Sequence, residues 1–199
     1  LTRYYDILAS DPENEIPLRY YSIAPVSFAL NLSEDGKLLD IFPLFETKQV
    51  GKTTRDVPMR MIVPERVKRS SGINPNFLCD NPTYVLGLTA KEAKDPAYAT
   101  HRFVEYRRHT LAILAGADCP EAKAVSLFLE GYQPDRAGEI PAISEKLERI
   151  INENGNLVFM LNGSREYVHN TPAVQRAWEN HKNNNPNSTI LQCLVTGET

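Results

Sequence analysis

Alternation of apolar and polar residues in the first third of the chain is the feature that most limits its fold. Three segments show it: 26–32, 38–45 and 57–63. A period of two places every second side chain on one face, so each segment predicts a half-buried β-strand. Asp35-Gly36 supplies the left-handed turn position that a hairpin between the first two strands needs. Residues 46–56 are predicted to form a polar link between the second and third strands.

Two prolines limit the length or the position of the third predicted strand. Pro58 and Pro64 lie within or directly after segment 57–63. Proline lacks the N–H that a central strand donates to its neighbour. We therefore expect this strand to be short or to lie at an edge of the sheet.

Helical spacing of apolar residues replaces the alternation in the second half of the chain. Phe103, Leu111 and Leu114 fall at helical spacing, and Gly116 is the expected C-cap of their helix. The predicted helices are 2–9, 98–116, 120–132, 143–154 and 172–182. Short apolar runs predict further strands at 83–88, 157–161 and 189–195.

The order of these elements predicts an α+β fold. Strands grouped ahead of helices favour a mainly antiparallel sheet over a doubly wound parallel one. We expect the sheet to come from the N-terminal half, followed by a helical insertion over 95–155 and a C-terminal strand-helix-strand unit. The 199 residues are enough for one domain with a buried core, so 1–199 is treated as a single domain.

Composition excludes several classes of protein. No apolar run approaches the ~20 residues of a membrane-spanning helix, and the first ten residues lack the apolar core of a signal peptide. Three scattered cysteines, Cys79, Cys119 and Cys193, argue against a disulfide framework and for a reducing compartment. The expected location is therefore the cytoplasm, without a membrane partner.

Positive charge is concentrated in one segment of an otherwise acidic chain. The net charge is −3, yet residues 48–69 contain seven cations and only two anions. A local excess of this kind suits the phosphates of a nucleic acid. The alternative is a solvated face of a hairpin, which also gathers charge.

Residues 68–81, called here the signature loop, follow neither the helical nor the strand period. Gly72 frees the backbone, Pro75 fixes it, and Asn81-Pro82 is a turn signal. Hydroxyls, amides and cations lie between these residues, with little apolar area. Such a loop suits phosphates and base edges better than an apolar ligand.

Catalytic motifs are weak in this sequence. Val50–Thr54 resembles part of a phosphate-binding loop, but Glu46 stands where that motif has its first glycine. Asp80 is expected to cap the Asn81-Pro82 turn, and its use in the metal site of a nuclease remains an alternative. No other residues point to a metal or a cofactor, and we expect none.

Other single residues have simpler structural interpretations. Cys79 is expected to be a small buried apolar residue. Trp178 is expected in the core, because it lies on the apolar face of a predicted helix. His169 and His181 lie on polar stretches and are expected at the surface.

One segment resembles a known family. RSSGINPNFLCDNPTYVLG, from Arg69 to Gly87, resembles the signature of the large subunit of type I-C CRISPR interference (Cascade) complexes. LTRYYDILA at 1–9 and LQCLVTGE at 191–198 resemble two other segments of that family. The likeness runs in order along the chain, and it implies an N-terminal portion of a longer protein.

The resemblance implies a non-enzymatic role in antiviral defense. In such complexes the guide RNA reads the target by base pairing, while the protein reads a short flanking motif, the PAM, in double-stranded DNA. The large subunit also helps to start strand separation and offers a surface to the helicase-nuclease that cuts. The implied partners are double-stranded target DNA, the guide RNA complex with its other protein subunits, and that helicase-nuclease.

Candidate residues follow from combining the resemblance with the basic segment. The cations from Lys48 to Lys68 are expected to hold phosphates, and the loop residues Arg69–Asn76 are expected to approach base edges. The candidates are Lys48, Lys52, Arg55, Arg60, Lys68, Arg69, Ser70, Ser71, Gly72, Asn74 and Asn76. Two alternatives stay open at this point: an assembly module that docks on guide RNA and neighbouring subunits, and a metal-dependent nuclease that uses Asp80.

Overall fold

The computed structural model describes residues 18–50, 53–67, 69, 72–89 and 97–184. The strands are β1 (Tyr21–Leu32), β2 (Leu38–Pro43), β3 (Phe45–Val50), β4 (Thr53–Pro64) and β5 (Asn156–Leu161). The α-helices are α1 (Pro82–Val85), α2 (Tyr98–Leu114), α3 (Pro120–Gly131), α4 (Pro141–Ser144), α5 (Leu147–Glu153) and α6 (Pro172–Asn183). Two short 3-10 helices span Pro134–Glu139 and Val168–Asn170. The helix predicted at 2–9 and the strand predicted at 189–195 lie outside the described residues.

Strand β1 organises a five-stranded sheet. Its C-terminal half pairs with β2 antiparallel and with β5 parallel, so this half has a neighbour on both edges. Its N-terminal half pairs antiparallel with β4, and β4 continues into an antiparallel pair with β3. The sheet is mainly antiparallel, and helices follow its first four strands. The predicted α+β fold is confirmed, as is the entry of segment 157–161 into the first sheet.

The C-terminal half of β1 is buried on both faces. Phe28, Leu30 and Leu32 point to one face and enter the main apolar cluster, to which the helices contribute. Ala29 points to the other face and joins a smaller cluster with Val158 of β5. Helix α3 packs against β1 and β5. The strand is therefore fully buried here and not half-buried as the alternation predicted.

The hairpin β3–β4 corrects the predicted link over 46–56. The two strands pair from Phe45 opposite Pro58 to Val50 opposite Thr53. Residues 47–49 and 53–56 are exposed, because this part of the hairpin extends beyond the core. A strand with both faces exposed to solvent needs no alternation of apolar and polar residues. The sequence pattern therefore does not predict β3.

Strand β4 is twelve residues long and therefore not short, but each of its halves pairs with only one described neighbour, in agreement with the alternative of an edge position. Pro58 is the last residue in register with β3, and Met59 is the first in register with β1. Proline therefore lies where the strand changes partner. Such a position does not require the continuous ladder of hydrogen bonds that proline would interrupt.

Several local predictions also need correction. The strand predicted at 83–88 is the helical turn α1, in which Asn81 is the N-cap and Pro82 occupies the first turn. The single helix predicted at 143–154 is divided into α4 and α5. Ala115, and not Gly116, is the C-cap of α2. The helices predicted at 98–116, 120–132 and 172–182 are confirmed as α2, α3 and α6. The Asp35-Gly36 turn is also confirmed, and Gly36 has a φ of +77°.

Two aromatic predictions had opposite outcomes. Trp178 lies in the core as expected, and its indole N–H donates to the carbonyl oxygen of Tyr20 at 2.8 Å. His169 was expected at the surface and is fully buried. It lies beneath β4, with its Nε2 atom 3.1 Å from the carbonyl oxygen of Ile62. His181 is half-buried against Trp178.

No helix in the described ranges is long and apolar enough to cross a membrane.

Candidate nucleic-acid interface

The second half of the signature loop belongs to the core. Phe77, Leu78 and Cys79 are buried almost completely. The ring of Phe77 stacks on Trp178 of α6, with centroids 5.2 Å apart. Burial raises the pKa of the Cys79 thiol to about 12, which agrees with its predicted role as a small buried apolar residue. This half of the loop is therefore a base that anchors the remainder.

Asp80 closes the loop from the inside. Its carboxylate is fully buried and accepts hydrogen bonds from the backbone N–H of Asn76 and of Asn81, both at 2.8 Å. The guanidinium of Arg69 is a third donor to it. The carbonyl oxygen of Asp80 accepts from the N–H of Leu157, which ties the loop to β5. The side chain of Asp80 thus bonds the backbone of the Asn81-Pro82 turn, as expected, but the N-cap of α1 is Asn81.

Arg69 is part of the same internal network. Besides Asp80, its Nε atom donates to the carbonyl oxygen of Asn74 at 2.6 Å. Its guanidinium carbon lies 3.9 Å from the centroid of the Tyr84 ring. Only 21% of the side chain is exposed. These contacts correct its assignment to bases or phosphates, since the guanidinium already has a carboxylate, a carbonyl and an aromatic ring as partners.

Asn76 is also a structural residue. It is 3% exposed, and its Oδ1 atom accepts a hydrogen bond from the N–H of Val67 at 2.8 Å. A side chain buried to this degree cannot reach the edge of a base. Asn76 is therefore removed from the candidate interface, and its amide instead ties the middle of the loop to Val67, the residue that precedes the loop.

Among the described residues of the loop, the exposed ones are Gly72–Asn74, called here the tip. All three residues are exposed, and Gly72 has a φ of +75°, a conformation that favours glycine. Ile73 keeps 36% of its surface exposed although it is apolar. The tip thus presents an amide and an apolar side chain on a rigid base. The candidates Lys68, Ser70 and Ser71 lie outside the described residues.

The hairpin β3–β4 presents the other described candidates. Lys48 lies directly opposite Arg55, so both side chains project from one face of the hairpin. Glu46 pairs with Lys48 at 2.8 Å on that face. Arg60 is five residues beyond Arg55 along β4, and alternation places it on the opposite face. Lys52 lies outside the described residues.

The described cations of the basic segment therefore do not lie on one continuous surface. They divide between two faces of the hairpin and the interior of the loop. Arg66 was counted in the basic segment but not proposed for the site. Its Nε atom is buried and has no hydrogen-bond partner in the described part of the chain. None of Arg55, Arg60 and Arg66 forms an ion pair with a described carboxylate, and Arg55 and Arg60 are exposed.

A metal site was one alternative for Asp80. Within the described ranges, no group of three or more His, Cys, Asp or Glu residues is placed to hold a metal ion. The oxygens of Asp80 accept hydrogen bonds from two backbone N–H groups and one guanidinium. Its carboxylate thus serves the geometry of the loop.

Comparison with known proteins places the whole chain in one family. The family model described as CRISPR-associated protein (Cas_Csd1) matches residues 1–199. A comparison with curated proteins gives no match. The family match agrees with the resemblance carried by residues 69–87. The chain therefore belongs to the Cas_Csd1 family of CRISPR-associated proteins.

Proposed function

We propose that this chain is a non-catalytic subunit of a type I-C surveillance complex that reads the PAM in double-stranded target DNA. It also helps to start strand separation beside that motif. Family membership supports a place in a CRISPR effector complex with other Cas proteins. The observation that carries the finer proposal is the exposed tip Gly72–Asn74 on a buried, internally bonded base.

The rigid base favours recognition because it lowers the cost of ordering the loop on binding. Asp80, Arg69 and Asn76 fix the loop before any DNA is present. The amide of Asn74 carries both a donor and an acceptor, so it can address base edges in either groove. Gly72 has no side chain, which lets the backbone approach a groove wall closely.

Ile73 gives the tip a second task. Proteins that part or kink a duplex insert apolar side chains between base steps. Ile73 is exposed and lies between the glycine and the amide of the tip. We assign to it the first unstacking of the duplex next to the motif.

The hairpin β3–β4 supplies contacts with phosphates. Lys48 and Arg55 face the same way, and Arg55 has no described carboxylate partner. Contacts of this kind orient a protein on DNA without reading its sequence. The net charge of −3 predicts that the chain alone binds duplex DNA weakly, so its neighbours in the complex must supply further affinity. Recruitment of the helicase-nuclease belongs to the same proposal.

A second candidate function is docking on guide RNA and neighbouring subunits. The division of the described cations between two faces favours it, because a single duplex contacts one face of a hairpin most easily. In that case the hairpin would be an assembly surface and the tip would not approach target DNA.

Photocrosslinking in the assembled complex distinguishes the two functions. Benzoylphenylalanine at position 73 is expected to crosslink to the duplex flanking the target. The same probe at position 104 is a matched control, since Val104 is 39% exposed and lies on α2, away from the loop in sequence. Crosslinks from position 73 to guide RNA alone would refute PAM reading and support the assembly role.

A further inference from the structure

A polar cavity of about 260 Å³ lies where α1, the start of α2 and the end of α5 meet. None of its described lining residues is a carboxylate. Its polar and aromatic lining consists mainly of three amides, two tyrosine rings and one guanidinium: Asn81, Asn152, Asn154, Tyr84, Tyr98 and Arg102. The volume is below the roughly 300–1,000 Å³ of pockets for drug-sized ligands. The cavity therefore suits a small planar group that carries both donors and acceptors.

Arg102 forms a flat platform in this cavity. Its guanidinium carbon lies 3.5 Å from the centroid of the Tyr98 ring, and its Nη1 atom donates to the carbonyl oxygen of Tyr98 at 3.0 Å. The ring and the hydrogen bond hold the guanidinium plane in place. No described carboxylate pairs with Arg102. A fixed guanidinium of this kind offers a stacking surface, hydrogen-bond donors and a positive charge.

The amides supply the complementary edge. The Oδ1 atom of Asn81 accepts from the N–H of Tyr84 at 3.4 Å, which directs one end of this amide into the helix cap. Asn152 and Asn154 are exposed at the end of α5, and both line the cavity. Amide groups pair with the mixed donors and acceptors on the edges of nucleobases.

Tyr84 connects the cavity to the signature loop. Arg69 of the loop lies 3.9 Å from the centroid of this ring, and Arg102 of the cavity lies 6.0 Å from it. Tyr84 itself is almost fully buried. The wall of the cavity is thus part of the structure that holds the loop tip.

We infer that this cavity takes one unpaired nucleotide, with its base on the Arg102 guanidinium and its edge toward the amides. The inference rests on the proposed nucleic-acid function, since an opened duplex or a guide strand must supply the nucleotide. The lining explains why a base is preferred to a free phosphate. One cation alone would serve an anion, whereas the flat guanidinium and the three amides together suit a planar group that carries donors and acceptors.

Photocrosslinking identifies the source of the nucleotide. Assembled complexes carry 5-iododeoxyuridine at successive positions beside the PAM in either target strand, or 5-iodouridine in the guide RNA. In one of these three sets of complexes, the labelled base is expected to crosslink to Tyr98 or Tyr84. The strand that carries the label is then the source of the bound nucleotide. Complexes that bind target normally but give no crosslink to either tyrosine in any arm would overturn the inference and leave the proposed function intact.

Substitution of the platform tests the chemistry. Arg102→Lys keeps the charge but loses the plane, and it should weaken binding of a thymidine oligonucleotide by the complex roughly 5- to 150-fold, as expected for loss of one stacked base. An abasic oligonucleotide of equal length should bind the variant and the parent equally. Unchanged thymidine binding by Arg102→Lys would show a charge contact only and overturn the inference. Thermal melting of the variant tests whether it is folded. Its affinity for duplex DNA tests whether the separate contact of the hairpin with DNA is unchanged.

Discussion

The guanidinium of Arg69 donates a hydrogen bond to the buried carboxylate of Asp80, eleven residues further along the chain. The same carboxylate accepts from two backbone N–H groups. This one contact decides how the signature loop works. It turns the guanidinium of Arg69 inward, while Gly72–Asn74 are exposed.

Removal of the Asp80 charge is expected to destabilise the fold. Asp80→Asn leaves a partly buried guanidinium without its anion, and breaking a buried ion pair costs about 3–5 kcal/mol. The free energy of unfolding in urea measures this loss. Asp35→Asn is the matched control, because Asp35 pairs with Lys37 at 2.7 Å but both side chains are exposed. Equal effects of the two substitutions would contradict the structural role of Asp80.

Gly72→Ala is expected to strain the loop tip. The φ of +75° is unfavourable for a residue with a Cβ atom, although the nearest atom to that Cβ would be Asn74 Nδ2 at 3.8 Å. The cost is conformational and not steric, about 1–2 kcal/mol. Gly131→Ala is a suitable control, since a Cβ there meets nothing within 4 Å and φ is not positive. Chemical denaturation of both variants tests the difference, and a loss confined to Gly131→Ala would be inconsistent with this geometry.

The buried His169 is expected to make stability depend on pH. Burial lowers its pKa from 6.5 to about 4 in the folded state. The unfolded chain therefore binds the proton more readily, and the stabilisation is complete only above about pH 6.5. It is lost as the pH falls toward 4, by up to ~3 kcal/mol. Urea unfolding at a series of pH values measures this loss.

His169→Gln provides the control for that titration. Glutamine can donate to the carbonyl oxygen of Ile62 as the Nε2–H of His169 does, but it does not titrate in this range. The variant should show a flatter stability profile between pH 6.5 and pH 4. A profile as steep as that of the parent chain would mean that other groups cause the dependence.

The two faces of the hairpin are expected to differ in DNA binding. Arg55→Ala should weaken duplex binding by the assembled complex for all flanking sequences alike and lower the salt slope by about one counterion. Arg60→Ala, on the opposite face, should change the slope less. Titrations at several salt concentrations distinguish them. A shift in PAM preference with Arg55→Ala would refute its assignment to a phosphate.

The sequence predicted the elements whose side chains enter the core. Strands β1 and β5 and helices α2, α3 and α6 repeat apolar residues because one surface of each is buried. Strand β3 shows no apolar pattern, because both faces of the outer part of its hairpin are exposed to solvent. The turn α1 has four consecutive buried residues, Pro82–Val85, and such an apolar run predicts a strand as readily as a helical turn.

The candidate site was predictable as a segment but not residue by residue. Composition marked the loop as polar and turn-rich, yet it could not show that Arg69 and Asn76 turn inward while Asn74 turns outward. That division depends on Asp80, whose partners lie up to eleven residues away. The sequence marks Arg66 only as one of the seven cations of the basic segment.

A comparison of the two loop asparagines tests the central claim most directly. Affinity of the assembled complex is measured for targets with matched and mismatched flanking pairs. Asn74→Ala is predicted to lose about 1–3 kcal/mol on the matched target and less on the mismatched ones. Asn76→Ala should lower thermal stability without changing the preference, because its amide is buried and bonded to Val67. An unchanged preference with Asn74→Ala would contradict PAM reading by the loop tip.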